Sequence, residues 1–426
     1  MLATLGVEID FSNGATFGYP LLLDDPSFGI LGTNVLGDVP ADIVDISDMV
    51  MKCSTRRGRN RILSNFEAGT ATVVLNDPNS DFSPFNPASP YFTKLLPLRK
   101  IRIYANVDTF SERVYLFSGY ITSYDTGFYQ GTDQTATVTL ECVDGFRLLN
   151  GVATGTAPVP FCIDNQFSGA RVSELLLFAG FPSSMQDLDQ GTSTMQADPG
   201  GQRNILQAVQ TVEQSEFGAF FMSRQGEAKF LSRNTVTELA DSQTRFYSDT
   251  GQPGSQPYTN LDFAYDDQLI LNDVTVTAQV NAGLGTGTPQ TKIDQDSIDQ
   301  YFTKSGQRTG ILVRSDDEAL DQAQTLVAAR KDAILRIDSM DLSISGETDV
   351  NNLFTNLSTD IYDLVFITKA MPGGSSVARE LFIQGVQNNI TPNNWTMKLL
   401  TAEPLIQAFI LDSGTQGLLD INALSY

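Results

Sequence analysis

VYLFSGYITSY (114–124) and RELFIQGVQNN (379–389) decide how this sequence is read. Each carries Leu-Phe followed closely by glycine: Leu116-Phe117 with Gly119, and Leu381-Phe382 with Gly385. A strand pattern and a loop precede each: KIRIYANV (100–107) the first, DLVFITKAMPGGSS (363–376) the second. A polar turn then leads to a further strand pattern, TATVTLECVDG (135–145) or WTMKLLTAEP (395–404). Alternating apolar and polar residues rich in Val, Ile, Thr and Tyr fit a half-buried strand. Unrelated all-β domains also share such an order by chance; the sharper reading is a β module present twice in one chain. Three such chains in a ring present six similar modules, so a threefold assembly can abut a sixfold one.

Working outward, TATVVL (70–75) and RVYLFSGYITSY (113–124) extend the first β region, with turns at NDPNSD (76–81), FSPFNPASP (82–90) and TGFYQGTDQ (126–134). YFTKLLP (91–97) has room for one helical turn. Phe82, Phe85 and Pro87 are expected to pin the segment that crosses the end of this module. GVATGTAPVP (151–160) reads as a linker. Two helices follow: RVSELLLFAGFP (171–182), with Val172, Leu175, Leu176 and Ala179 on one face, and a second with Ile205, Leu206, Val209 and Val212. GAFFMSRQGEAKFLSR (218–233) is a hairpin pattern, and polar, Gly/Pro-interrupted 236–268 includes a surface loop at DTGQPGSQPY (249–258). LILNDVTVTAQV (269–280) opens the second β region, which contains a helix over 316–335. Ser315 suits its N-cap, and Asp316, Asp317 and Glu318 oppose the helix dipole favourably. Its expected core face is Leu320, Ala323, Val327 and Ile334. The resulting division is an N-terminal extended or hairpin segment 1–45, a first β module 46–160, an α/β domain 161–265, a second β module 266–406 and a tail 407–426.

Composition narrows the function. The 426 residues hold 27 Lys and Arg against 50 Asp and Glu, a formal net charge of −23, and no histidine. That charge argues against wrapping nucleic acid. Without histidine there is no Ser-His-Asp or Cys-His catalysis and no His-ligated metal site. No apolar run reaches the roughly 18 residues of a membrane helix, and the first residues lack the pattern of a secretory signal. Cys53, Cys142 and Cys162 match no zinc spacing and imply a reducing cytoplasm, with Cys142 a small buried hydrophobe.

The run STRRGRNRILSNFEAGTATVVLNDPNSDFSPFNP (54–87) resembles the N-terminal barrel of siphophage tail hub and minor tail proteins: a basic turn, an EAGTATV strand, a D/N-rich turn and an F-x-P-x-N segment. LFSGYI (116–121) and NNITPNNWTMKLL (388–400) resemble later parts of such hubs. The resemblance implies a mainly β (α+β) fold: two tail-tube-like antiparallel barrels or sandwiches with a small inserted α/β domain. It implies a homotrimer at the tail tip of the virion, made in the host cytoplasm. Its partners would be a distal tail protein or tail tube ring, the tape-measure protein, and tail fibre or tip proteins. DNA would pass through the lumen without specific binding. No enzyme activity, cofactor or metal is expected. A hexameric distal tail protein and a tail-associated carbohydrate-binding or glycan-degrading protein are the alternatives.

Lys52, Arg56, Arg57, Arg59 and Arg61 form a basic cluster in an acidic chain. A solvated loop with local ion pairs, an intersubunit clamp and a DNA-phosphate contact are three readings of it; the clamp is favoured. It predicts that serine at the four arginines leaves a folded protein that assembles poorly. The acidic excess would hold DNA off a lumen wall, or serve solubility. Asp24-Asp25, Asp266-Asp267 and Asp316-Asp317-Glu318 are carboxylate clusters without a supporting motif, and Asp77 to Asp81 lacks the glycine and terminal Glu of a calcium loop. Trp395 is expected in the core of the last strands, with Phe82, Phe85, Phe117, Gly119, Phe382 and Gly385 as structural anchors.

Overall fold

The computed structural model describes residues 2–17, 42–59, 65–128, 136–156, 161–238 and 244–403. Arg61, the Asp24-Asp25 pair and the 407–426 tail lie outside them. The fold is mainly β, built on one large sheet.

The first module comprises β1 (Ala3–Asp10), β2 (Ile43–Asp45), β3 (Val50–Gly58), β4 (Glu67–Asn76), β5 (Arg99–Val107), β6 (Val114–Phe128) and β7 (Ala136–Val143). Their order across the sheet is β3-β4-β7-β6-β5-β1-β2, and every pairing is antiparallel. Period-2 patterning puts alternate side chains on one face, and β7 shows it: Ala136, Val138, Leu140 and Cys142 are buried, and the threonines between them half-buried. β1 belongs to this sheet through its register with β5, so the segment expected to stand apart at 1–45 supplies a core strand. β6 is unusually long; its first half pairs with β5, its second with β7, and the handover falls at Tyr120–Ile121.

After α1 (Phe146–Asn150) comes the expected α/β unit: β8 (Gln166–Phe167), α2 (Ser168–Phe178), β9 (Gln186–Leu188), β10 (Thr194–Met195), α3 (Ile205–Glu216), β11 (Ala219–Met222), β12 (Ala228–Leu231) and α4 (Arg233–Glu238). Val172, Leu175 and Leu176 of α2 and Ile205, Val209 and Val212 of α3 share one core with Phe220 and Phe230 of the hairpin. The Asn204 side chain accepts from the Gln207 amide (2.8 Å), a capping box that starts α3.

The remaining elements are β13 (Arg245–Ser248), β14 (Asn260–Ala264), β15 (Asp273–Ala278), β16 (Gln290–Ile293), α5 (Gln295–Tyr301), β17 (Ser305–Ile311), α6 (Asp316–Arg330), β18 (Arg336–Ser343), α7 (Val350–Ser358), β19 (Leu364–Ala370), β20 (Ser376–Thr391) and β21 (Asn394–Ala402). Residues 269–280, expected to open the second module, instead form β15 at the centre of a separate sheet, β16-β15-β17. That sheet buries its apolar face, Val274 and Val276, under α6. α6 ends at Arg330 rather than 335 and turns Ala319, Ala323, Leu326 and Val327 inward, leaving Leu320 and Ile334 half-buried. Alternation identified the strand; nothing local shows which sheet receives it.

The second module therefore consists of β13, β14, β18, β19, β20 and β21, in the sheet order β14-β18-β21-β20-β19-β13. The first module's counterparts are β3-β4-β7-β6-β5-β1. In both, the last strand of the row comes first in the chain and the others follow in the same succession. The two copies differ at that strand: β1 runs antiparallel to β5, whereas β13 runs parallel to β19. β20 repeats the handover of β6, leaving β19 for β21 at Phe382–Ile383. A bulge follows in each, between Ile121 and Ser123 and between Ile383 and Gly385. Phe382 thus corresponds to Tyr120. The Leu-Phe alignment read from sequence, which set Phe382 against Phe117 and Gly385 against Gly119, is offset, because strand pairing rather than residue identity fixes the register.

The two modules share one hydrophobic core, and among the described residues their strands form a continuous open path from β14 to β2 rather than two closed barrels.

Candidate functional site

The feature that organises the molecule is the seam where the modules join. The second half of β20 pairs with β21 on one edge and β3 on the other. Its antiparallel register with β3 runs from Gly385 opposite Gly58 to Ile390 opposite Cys53. The glycine pair permits the approach. Gly58 has φ +100°, and a Cβ there would meet Gln384 O at 2.2 Å. One on Gly385 would meet Arg57 O at 2.9 Å. Farther along, a polar chain crosses three strands: Trp395 Nε1 donates to Asn388 Oδ1 (3.2 Å), and Asn388 Nδ2 donates to Thr55 Oγ1 (3.3 Å). Trp395 is buried, as its alternating position predicted.

The basic cluster sits on this seam, and its members differ. Arg57 is 4% exposed; its Nη2 meets Asp360 Oδ1 at 2.6 Å and its Nε donates to Leu116 O (3.0 Å). Arg59 is 6% exposed; it donates to Gln384 Oε1 (2.8 Å) and Tyr362 Oη (2.9 Å) and lies 4.4 Å over the Phe66 ring. Arg56 pairs with Glu67 at 2.6 Å near the surface, and Lys52 is exposed. The clamp expected between subunits is, for Arg57 and Arg59, a clamp inside the chain. Their partners lie some 300 residues away in sequence, which is why residue type alone misplaced them.

Asp360, Tyr362, Gln384 and Arg224 escaped the sequence reading. Arg224, at the tip of the β11–β12 hairpin, approaches Asp360 at 3.6 Å, donates to Ser358 O (3.0 Å), and accepts from Ser118 Oγ through its carbonyl (2.9 Å). The inserted unit is thereby pinned to both modules. Burial alone would push the Asp360 carboxyl up; Arg57 and Arg224 more than offset it, so Asp360 stays below the usual carboxylate range. Two nearby acids shift the other way. Burial raises Asp144, which accepts from the Gly69 amide (2.6 Å) and the Phe146 amide (3.0 Å), to about 7. Burial also raises Glu213, near Arg59, to about 7.

No protein-family model and no curated protein matches the sequence. Solved structures do. The tail protein from Neisseria meningitidis MC58 is 11% identical with a TM-score of 0.56, covering 94% of this chain and 96% of that one. The 43 kDa tail protein of prophage MuSo2 from Shewanella oneidensis is 11% identical with a TM-score of 0.53, covering 85% and 94%. The fold is shared with tail proteins. The likeness covers 94% and 85% of this chain in the two comparisons, and nearly all of each neighbour.

The remaining sequence candidates divide between core and surface. Phe117, Phe382 and Phe82 are buried, and Phe82 packs against Tyr91. A Cβ on Gly119 would meet Phe117 at 2.6 Å. Phe85 is 84% exposed and Pro87 is exposed too, so among the described residues neither pins the crossing segment as the buried Phe82 does. Asp77 accepts from the amides of Asp81 (2.8 Å) and Phe82 (2.9 Å), so its carboxylate closes a turn. Asp316 accepts from the amides of Gly287 and Thr288, while Asp266 and Asp267 pair with Arg336 and Lys304. Among the described residues no group of three or more acidic or cysteine side chains is gathered for a metal.

Proposed function

We propose that this chain is a structural virion protein, the trimeric hub at the distal end of a phage tail tube. It would sit on a sixfold ring of distal tail protein or tube subunits, offer tail fibre or tip proteins its far side, and enclose a lumen for tape-measure protein and then DNA. One observation carries this reading: a six-strand module occurs twice with the same order in chain and sheet, so three chains present six equivalent units. The fold likeness to a prophage tail protein, over 85% of this chain, supports it. Net charge −23 per chain has the sign of DNA, and an acidic lumen would repel phosphate over about 8 Å at physiological salt.

Imaging of the assembled tail tip tests the reading. Threefold symmetry at the layer holding this chain is expected. Sixfold symmetry would favour a distal tail ring, for which twelve modules per ring are hard to match to six tube subunits. A glycan-cleaving role has less support. The cleft of about 280 Å³ beside β14 is lined by three carboxylates and three cations: Asp262 pairs with Lys398 (3.0 Å), Asp338 with Arg336 (3.2 Å) and Glu403 with Arg379 (3.6 Å), so each carboxylate already has a cationic partner. Release of fragments from host cell wall by the purified protein would reopen that role.

A further inference from the structure

The seam between β20 and β3 occurs once in the chain, yet both of its partners have counterparts. β6 is the counterpart of β20, and β14 the counterpart of β3. Both counterparts leave the equivalent edge open. Residues 123–128 of β6 pair with β7 on one side, and no strand pairs with the other side among the described residues. Among the described residues β14 pairs with β18 alone and ends the sheet path. An unpaired edge is a template for another strand. The β14 edge carries Phe263, 38% exposed, with exposed Tyr265 just beyond.

We infer that the β14 edge of one chain pairs antiparallel with the second half of β6 of the next copy, repeating between chains the seam that β20 and β3 make within one. This rests on the ring reading above and says which edges close the ring. The register follows from the internal copy. The handover and bulge set 123–128 of β6 equal to 385–390 of β20. Val73 and Met340 face the corresponding residues Leu140 and Leu399, so their partners Cys53 and Leu261 correspond, and Ser54 corresponds to Asp262. The irregularity between Asp262 and Phe263 shortens β14 by one residue relative to β3, bringing Phe263 to the place of Arg56. Since Asn389 faces Ser54 and Gln387 faces Arg56 inside the chain, Gly127 should face Asp262 and Asp125 should face Phe263 between chains. The contact is heterologous, head to tail, and closes when the rotation per chain is a third of a turn.

Paired cysteines test it in the full chain. Residues directly opposite in an antiparallel pair have Cβ atoms about 4.5–5.5 Å apart, within or just beyond disulfide reach. Asp125→Cys with Phe263→Cys is the first pair, and Gly127→Cys with Asp262→Cys the second. The native Cys53, Cys142 and Cys162 are buried, and the single variants control for them. After mild oxidation, denaturing electrophoresis of a double variant should show cross-linked species that stop at three chains, absent from the single variants and lost on reduction. Light scattering before oxidation reads the assembly separately. A three-chain particle that neither pair cross-links overturns the edge pairing and leaves the hub reading standing. A single-chain mass, an intrachain cross-link or a six-chain ring overturns both.

Discussion

At the scale of residues, three arginines within four positions have three different fates. Arg57 and Arg59 are buried in the seam, whereas the Arg56–Glu67 pair is largely exposed. Removing one partner of a buried ion pair costs about 3 kcal/mol, and Arg57→Ala should lose about that much in urea unfolding because it leaves Asp360 only the more distant Arg224 at 3.6 Å. Arg59→Ala should lose about 2 kcal/mol, from two charge-assisted hydrogen bonds. Arg56→Ala should stay below about 1 kcal/mol. The expectation that serine at all four arginines spares folding is therefore corrected: such a variant should unfold first. Glu213 gives a pH signature. Its folded pKa of about 7 lies above the unfolded carboxylate value, so the folded state holds the extra proton. That contribution is complete below about pH 4, falls as pH rises, and is gone above about 7. Glu213→Gln should flatten the decline in melting temperature between about pH 4 and 7; an unchanged slope would assign it to other groups, Asp144 first. The cluster was visible in sequence as a local excess of charge. Its partners were not, since Asp360, Tyr362 and Gln384 carry no local mark.

At the scale of elements, legibility followed patterning. β7 and α6 announced themselves by alternation and by the Ser315 cap, whose Oγ accepts from the Glu318 amide (3.1 Å). α7 passed unnoticed although its signal was present: Asp349 caps it, and Val350, Leu353, Phe354 and Leu357 recur at helical spacing. Phe354 stacks on Phe110 of the first module with ring centres 4.1 Å apart. β13 and β14 were the harder omission. They are short, lie in a Gly/Pro-interrupted stretch, and complete the second module only through β19 and β18. The seam is the element most exposed to a single change. Gly58→Ala must move Gln384 O away and place alanine at positive φ, so it should cost at least about 2 kcal/mol and loosen β20 from β3. Hydrogen exchange checks this: Val386 to Ile390 should lose protection while β5 and β7 keep theirs.

At the scale of the whole molecule, charge and topology act together. In the proposed threefold ring, chains each bearing −23 would repel one another at low salt. Raising ionic strength from about 0.01 to about 0.15 M shortens the Debye length from about 30 to about 8 Å, so the trimeric fraction in light scattering should rise with salt. A fall would mean that attractive ion pairs dominate the subunit contact. By itself the sequence determined the β patterning, the two-helix and hairpin unit, and the presence of a repeat, because side-chain periodicity and caps are local and leave a local trace. Tertiary structure alone decided the register of that repeat, the sheet that each strand joins, and the carboxylate, phenol and amide that receive Arg57 and Arg59. Those choices depend on backbone pairing and burial between segments hundreds of residues apart, which no local pattern records.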